Sequence, residues 1–340
     1  MPKPKVFITR RILEAGMQLV QEFCQADVWP DELPPPGEIL LERARGVDGL
    51  LCLLTDRIDA AVMDAAGPGL KVISSFSVGV DNVEVAAATA RGIPVGNTPG
   101  VLTDATADMA FALLLAAGRR ILEGAQGVRA GRWKTWGPAF LLGADLKGAT
   151  LGLVGYGRIG RAVAHRAAGF GLRVLFSDPN PAAPEPDVEA TQVDFETLLR
   201  EADFLSLHCP LTPETRGLVN AANLRKMKPT AVLINTSRGP VVDQAALYDA
   251  LRSGRLFAAA LDVTDPEPLP PEDPLLTLDN CIVVPHIASA SRQTRERMSV
   301  MAAENLIAGL KGERLPNCVN PEIYDPRSHA TSYPKGKGAK

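Results

Sequence analysis

The chain has 340 residues, 46% hydrophobic and 22% charged, an ordinary globular composition with length enough for two domains. Its net charge of −3 leaves no electrostatic footprint for nucleic acid or an anionic membrane, and neither is expected as a partner. The five cysteines (Cys24, Cys52, Cys209, Cys281, Cys318) form no CxxC pair and no zinc-ligand spacing. The start, MPKPKVFITR, holds no apolar leader, and the longest apolar run is too short to span a bilayer. A cytoplasmic protein with reduced thiols is predicted.

In chain order, KVFIT (5–9) reads as a strand and RILEAGMQLVQEF (11–23) as an amphipathic helix. PDELPPPG (30–37) is a loop, and strands follow at 48–54, 70–75 and 92–95. Such alternation implies a parallel sheet covered on both faces. Residues 103–131 read as one long connecting helix with Thr103 and Asp104 at its start. A second alternating series has six strand candidates, at 150–154, 172–176, 203–207, 231–235, 258–263 and 281–284. The helical pattern at 291–312 is followed by no further strand of that series, so the chain is expected to cross back to the first unit. The fold class predicted is α/β with two doubly wound parallel-sheet domains, a Rossmann nucleotide-binding domain and a flavodoxin-like, discontinuous substrate domain.

The sharpest motif is TLGLVGYGRIG (150–160) with Asp178 ending the next strand. Gly155 permits a tight turn, Gly157 lets the backbone approach a pyrophosphate, and Gly160 lets helix and strand pack closely. The helix starting at Arg158 and Ile159 offers free N–H groups to phosphates. Asp178 is placed to accept from ribose hydroxyls, or else merely begins the Pro-rich turn after it. A carboxylate there would repel a 2′-phosphate, so NAD(H) is preferred, with NADP(H) possible. Arg238 in NTSRGPVVD (235–243) stands at a strand C-terminal end, with a planar fork suited to a carboxylate, and the flanking Gly239 and Pro240 suggest a backbone shaped for a ligand. Glu267, in LDVTDPEPLPPEDP (261–274), and His286, in VVPHIASAS (283–291), follow the next two strands. A histidine at a strand end is by itself more often a satisfied core residue than a catalytic one. Three polar groups after three successive parallel strands converge on one rim.

Together with SVGVDNV (77–83), these motifs resemble the D-specific 2-hydroxyacid dehydrogenases, and within them the glyoxylate/hydroxypyruvate reductases, over residues 5–320. The resemblance implies that Arg238, Glu267 and His286 are the catalytic set. A 2-oxoacid would rest its carboxylate on the N–H groups of Val78 and Gly79, with Arg238 bridging carboxylate and carbonyl. The cofactor would deliver hydride, and His286 the proton, while Glu267 orients the ring and favours imidazolium. It further implies an interdomain cleft, a homodimer and a discontinuous outer domain, expected at residues 1–100 and 288–324, with a NAD-binding domain of 101–287 that includes a dimer arm; by its own composition the end of the chain, 325–340, reads as a disordered tail.

Further positions are expected on the cofactor: Thr106 (or a helix cap), Cys209 and Pro210 on the adenine or ribose side, Thr236, Ser237, Asp262 near the carboxamide, and Ala288. His208 is expected to have no catalytic role. Leu54 is expected to wall a small substrate site, and Ser289 either to contact substrate and brace His286 or to cap a helix. Trp136, in GRWKTWGPAFLLG (131–143), is read as part of an apolar dimer arm, or as reaching the partner subunit's active site. Phosphoglycerate, phosphite or D-lactate dehydrogenase remain open from the sequence, as does an NAD(H)-sensing corepressor.

Overall fold

Parallel pairing runs through both sheets of the protein, seen in a computed structural model that describes residues 2–180 and 188–325. The chain divides into two compact units. One runs to Leu102 and resumes at Ser291; the other spans Thr103–Ala290. The tail expected to be disordered lies, from residue 326 onward, outside the described residues.

In the first unit, β1 (Lys5–Ile8), β2 (Gln25–Val28), β3 (Gly49–Cys52), β4 (Val72–Ser75) and β5 (Val95–Gly96) lie in the order β2-β1-β3-β4-β5. This is the flavodoxin-like winding. β3 and β4 are wholly buried, as continuous apolar runs covered on both faces must be. β2 escaped the sequence reading because QADV is a partly exposed edge strand without an apolar run. The helix Arg292–Leu310 returns to this unit and meets the sheet at glycines: a Cβ on Gly309 would lie 2.5 Å from that of Val72. It crosses the helix Glu14–Phe23 just as closely, where a Cβ on Gly16 would stand 2.3 Å from the Ser299 carbonyl oxygen.

In the second unit, β6 (Thr150–Val154), β7 (Arg173–Ser177), β8 (Ala190–Gln192), β9 (Phe204–Leu207), β10 (Val232–Asn235), β11 (Ala258–Leu261) and β12 (Cys281–Val283) take the order β12-β11-β10-β9-β6-β7-β8. The described sheet thus has seven strands rather than six; the extra one, β8, is a short polar edge strand, ATQ, which no hydrophobic pattern marks. The order reverses between β6 and β9, the switch point beside which open α/β sheets bind ligands. The single helix expected over 103–131 is two, Thr103–Gly118 and Ile121–Arg129. They are separated at Arg120, which is left-handed with φ 53° and forks its guanidinium onto Glu123 at 2.7 and 2.8 Å. Helical periodicity runs straight through such a break.

His208 ends β9 at the switch point, its N–H donating to the Val154 carbonyl at 2.8 Å. Its ring lies 2.9 Å from the Ser206 hydroxyl, which is itself buried. Loss of hydration pushes this imidazole down to about 4, so it is neutral at physiological pH, and no charged role falls to it.

Two stability measurements test this packing. Alanine in an ordinary helix position stabilises over glycine, yet Gly16→Ala is expected to lower stability by about 1–3 kcal/mol, because the added methyl meets the Ser299 carbonyl. A raised urea midpoint would contradict that crossing. For His208 the folded value lies below the unfolded value of 6.5, so stability is whole above pH 6.5 and falls as pH drops toward 4. Part of the residue still meets solvent, so the loss expected over that window is about 1–3 kcal/mol. His208→Gln should flatten this acid limb of the stability curve; an unchanged limb would place its cause elsewhere.

Candidate active site

The glycine-rich turn is built from close approaches. Gly155, at φ 91°, sits where a Cβ would come within 2.9 Å of the His208 carbonyl and the Cys209 nitrogen. On Gly160 a Cβ would be 2.3 Å from the Gly155 carbonyl oxygen, so helix Arg158–Gly169 presses directly on the turn. Gly157, the residue before that helix, is exposed, and a Cβ there would meet nothing within 4 Å. This open, side-chain-free approach to helix N–H groups at Arg158 and Ile159 fits the diphosphate of a dinucleotide. Asp178, just beyond β7, accepts the Tyr156 N–H at 2.7 Å and the Asn180 N–H at 2.8 Å. One carboxylate therefore braces both the glycine turn and its own loop, and its remaining lone pairs are available to hydroxyl donors. The segment 181–187 that follows lies outside the described residues.

On the other side of the switch point, Cys209 is buried and its thiol is pushed up to about 11 by that burial, which makes it an inert wall rather than a nucleophile. Pro210 beside it is exposed. Thr236 is buried with its hydroxyl 3.5 Å from the His208 ring. Thr106 is buried in the first turn of helix Thr103–Gly118, inside the helix rather than capping it.

The three polar groups follow β10, β11 and β12, which are neighbours in the sheet. The turn after β10 is held by buried Asn235. Its Oδ1 accepts from the Ser237 N–H at 3.0 Å and the Ser237 hydroxyl at 2.8 Å, and its Nδ2 donates to the Arg238 carbonyl at 2.9 Å. Arg238 is half-buried, one guanidinium nitrogen donating to the Ser237 carbonyl at 2.8 Å. Gly239 is required for a reason other than a ligand: a Cβ there would overlap the Thr264 carbonyl, 1.9 Å away. It joins the Arg238 turn to the loop carrying Glu267.

His286 occupies the left-handed region at φ 51°, uncommon for a side chain with a Cβ and sustained only where surroundings over-determine it. Asp262 supplies those surroundings. It is buried at the end of β11; its two carboxylate oxygens accept the N–H groups of Ile287 (2.7 Å) and Ala288 (2.9 Å), and its carbonyl accepts that of His286 (2.9 Å). Burial raises the Asp262 carboxyl, opposed by those N–H bonds. The sequence placed Asp262 near a carboxamide; its observed work is to clamp the histidine turn. That role was hidden because its partners lie 25 and 26 residues away.

His286 Nδ1 lies 2.5 Å from Glu267 Oε1, with side-chain exposures of 24% and 32%. The pair is thus on the rim, not in the core, and Nε2 is the ring nitrogen left to exchange a proton. Ser289 is half-buried nearby in sequence, but the cap of helix Arg292–Leu310 is Ser291, whose Oγ accepts the Thr294 N–H. Leu54, Val78 and Gly79 lie in the first unit, half-buried after β3 and β4. Trp136 is 79% exposed, in a stretch where Trp133, Phe140 and Leu142 are exposed as well. Among the described residues no cluster of His, Cys, Asp and Glu suits a metal ion, and no helix is long and apolar enough to cross a membrane.

Comparison with known proteins agrees with this geometry. Residues 111–288 match the family model of the D-isomer specific 2-hydroxyacid dehydrogenase NAD binding domain. The chain is 52% identical to a glyoxylate reductase of Korarchaeum cryptofilum over 327 residues, 96% of this chain and 98% of that protein. A solved Thermus thermophilus protein superposes with TM-score 0.87 at 52% identity, covering 93% of this chain and 99% of the other. An NADPH-dependent glyoxylate/hydroxypyruvate reductase from Sinorhizobium meliloti, solved with NADP and malonate, gives TM-score 0.80 at 34% identity, covering 93% and 97%. A glycine turn at the switch point, a clamped histidine–glutamate pair on the same sheet and this breadth of similarity lead to one conclusion: the chain belongs to the D-isomer specific 2-hydroxyacid dehydrogenase family.

Proposed function

We propose that this protein reduces small 2-oxoacids, glyoxylate and hydroxypyruvate, to the corresponding 2-hydroxyacids, with NADH preferred over NADPH. The observation that carries the reading is the 2.5 Å contact between Glu267 and His286 on a rim shared with Arg238. A bound nicotinamide supplies the hydride. Arg238 holds the substrate by its carboxylate and draws charge toward the carbonyl oxygen, joined by the Val78 and Gly79 N–H groups. His286 gives its Nε2 proton to that oxygen as it becomes an alkoxide, and Glu267 fixes the ring through Nδ1. Half-buried Leu54 limits the room for a substrate side chain, and Ser289 braces the histidine side. The substrate domain in this reading is 1–100 with 288–324, and the NAD-binding domain is 101–287.

The glycine turn (Gly155, Gly157, Arg158, Ile159, Gly160) takes the diphosphate. Asp178 would take the ribose, Cys209 and Pro210 would flank the adenosine, and Thr106, Thr236, Ser237 and Ala288 would line the nicotinamide end, with buried Asp262 holding the histidine turn behind them. Preference for NADH rests on Asp178, whose carboxylate repels a 2′-phosphate. We also propose a cytoplasmic homodimer. The exposed Trp133, Trp136, Phe140 and Leu142 form its arm, with Trp136 directed to the partner's site.

Two measurements test the reading. NADH absorbance should fall on adding either oxoacid, and His286→Asn should lower kcat about 10²- to 10⁴-fold while NADH fluorescence titration shows retained binding. A variant within threefold of wild type removes His286 as the acid. Asp178→Asn keeps an acceptor for the Tyr156 N–H but sheds the charge, so the NADPH-to-NADH ratio of kcat/KM should rise about tenfold or more. A ratio that stays put assigns cofactor choice to other residues.

A further inference from the structure

The turn following β4 presents two successive N–H groups, and their direction has a visible cause. The Ser77 carbonyl accepts the Thr98 N–H at 2.8 Å, and the Val78 carbonyl accepts Asn97 Nδ2 at 2.8 Å. Both peptides are trans, so each carbonyl and the N–H of the following residue point opposite ways. Tying the Ser77 and Val78 carbonyls to the 97–98 segment turns the Val78 and Gly79 N–H groups away from it together. The Gly79 carbonyl is held too, by the Ser77 hydroxyl at 2.6 Å. Among the described hydrogen bonds, neither the Val78 nor the Gly79 N–H donates within the protein. Adjacent N–H groups aimed one way form a concavity that binds anions.

Asn97 is itself clamped. Its carbonyl accepts Nδ2 of Asn305, a wholly buried residue of helix Arg292–Leu310. Asn305 Oδ1 in turn accepts the Asn317 N–H at 3.0 Å. A Cβ on the preceding Gly96 would stand 2.8 Å from that of Asn305, so the helix seats directly against the strand end. The Asn97 backbone is thereby tied to the helix, which leaves its carboxamide to anchor the Val78 carbonyl.

We propose that Asn97, seated by Asn305, is a positioning residue that orients the Val78–Gly79 amide pair toward a substrate carboxylate. This rests on the function proposed above. Asn97 does not touch the substrate; it decides where two peptide dipoles point. Removing its donor frees the Val78 carbonyl to rotate, and the Gly79 N–H rotates with it.

The test is Asn97→Ala beside Asn97→Ser, which keeps a shorter donor. KM for glyoxylate is expected to rise about tenfold in Asn97→Ala, more than kcat falls, with part of the rise reversed in Asn97→Ser. Calorimetric binding of oxalate to the NADH-loaded protein should weaken by a similar factor, while NADH affinity changes less than twofold. Thermal midpoints identify any variant that has simply lost its fold; for such a variant, Asn97→Asp replaces it, with the same shape and no donor. A wild type that binds oxalate but reduces neither oxoacid overturns the proposed reaction, and the calorimetric comparison still judges Asn97. Unchanged oxalate affinity in the folded variants overturns the positioning role alone.

Discussion

The histidine turn at the rim of the second unit depends on one buried aspartate. Asp262 lies where β11 ends, and its oxygens receive the Ile287 and Ala288 N–H groups while its carbonyl receives that of His286. Three bonds from one residue onto three consecutive N–H groups leave the turn no freedom. They offset the unfavourable left-handed backbone at His286, which is of order 1–3 kcal/mol. The imidazole is therefore aimed by the backbone before Glu267 adds its contact at Nδ1. A histidine on a loose loop would have to find its partner; here the partner finds a ring already in place.

The same arrangement recurs after two other strands, β10 and β3. Asn235 is buried and closes the Arg238 turn through three hydrogen bonds. In the first unit, buried Asp56 accepts from the Thr9 hydroxyl, the Leu53 N–H and Arg10, closing the turn that holds Leu54. The chemistry explains the choice of side chain. Short turns leave several backbone groups unpaired, and a buried unpaired group is expensive. A carboxylate or carboxamide satisfies two or three at once from a single Cα. Arg238 and His286 then stand one step from the core, half-buried, each carried by a turn whose shape a buried Asn or Asp sets.

Much of this was legible in the sequence, and what was not has physical reasons. Strands with continuous apolar runs, such as β3, β4 and β10, declare themselves because burial on both faces demands such runs. The glycine turn was legible because a strand-to-helix turn with close approaches at Gly155 and Gly160 needs glycine at fixed spacing. Glu267 and His286 could be named from their motifs, and their contact is the geometry expected of them. The edge strands β2 and β8 were not legible, since half-exposed polar residues carry no period. Nor was the break at Arg120, because a left-handed arginine is stabilised by its ion pair with Glu123 and not by a turn-forming residue. Nor was the need for Gly239 to admit the Thr264 backbone, which lies 25 residues ahead.

The least legible layer is the set of buried polar anchors, and the reason is sequence distance. Asp262 acts on residues 25 and 26 positions ahead, and Asn305 acts on Asn97 across 208. A local motif records the group that meets the substrate, because its neighbours must shape one turn. It does not record the group that aims that turn from another strand or helix. Asp262 shows how far apart the two can be: it stands in the motif LDVTDPEPLP, reading there as a neighbour of the cofactor's carboxamide, yet it is buried and gives its charge to backbone N–H groups. In a parallel sheet every strand end faces this choice between touching the ligand and holding the residue that does. Burial marks the difference between the two acids of this motif: Asp262 is 1% exposed and holds the turn, while the Glu267 side chain is 32% exposed and meets the His286 ring.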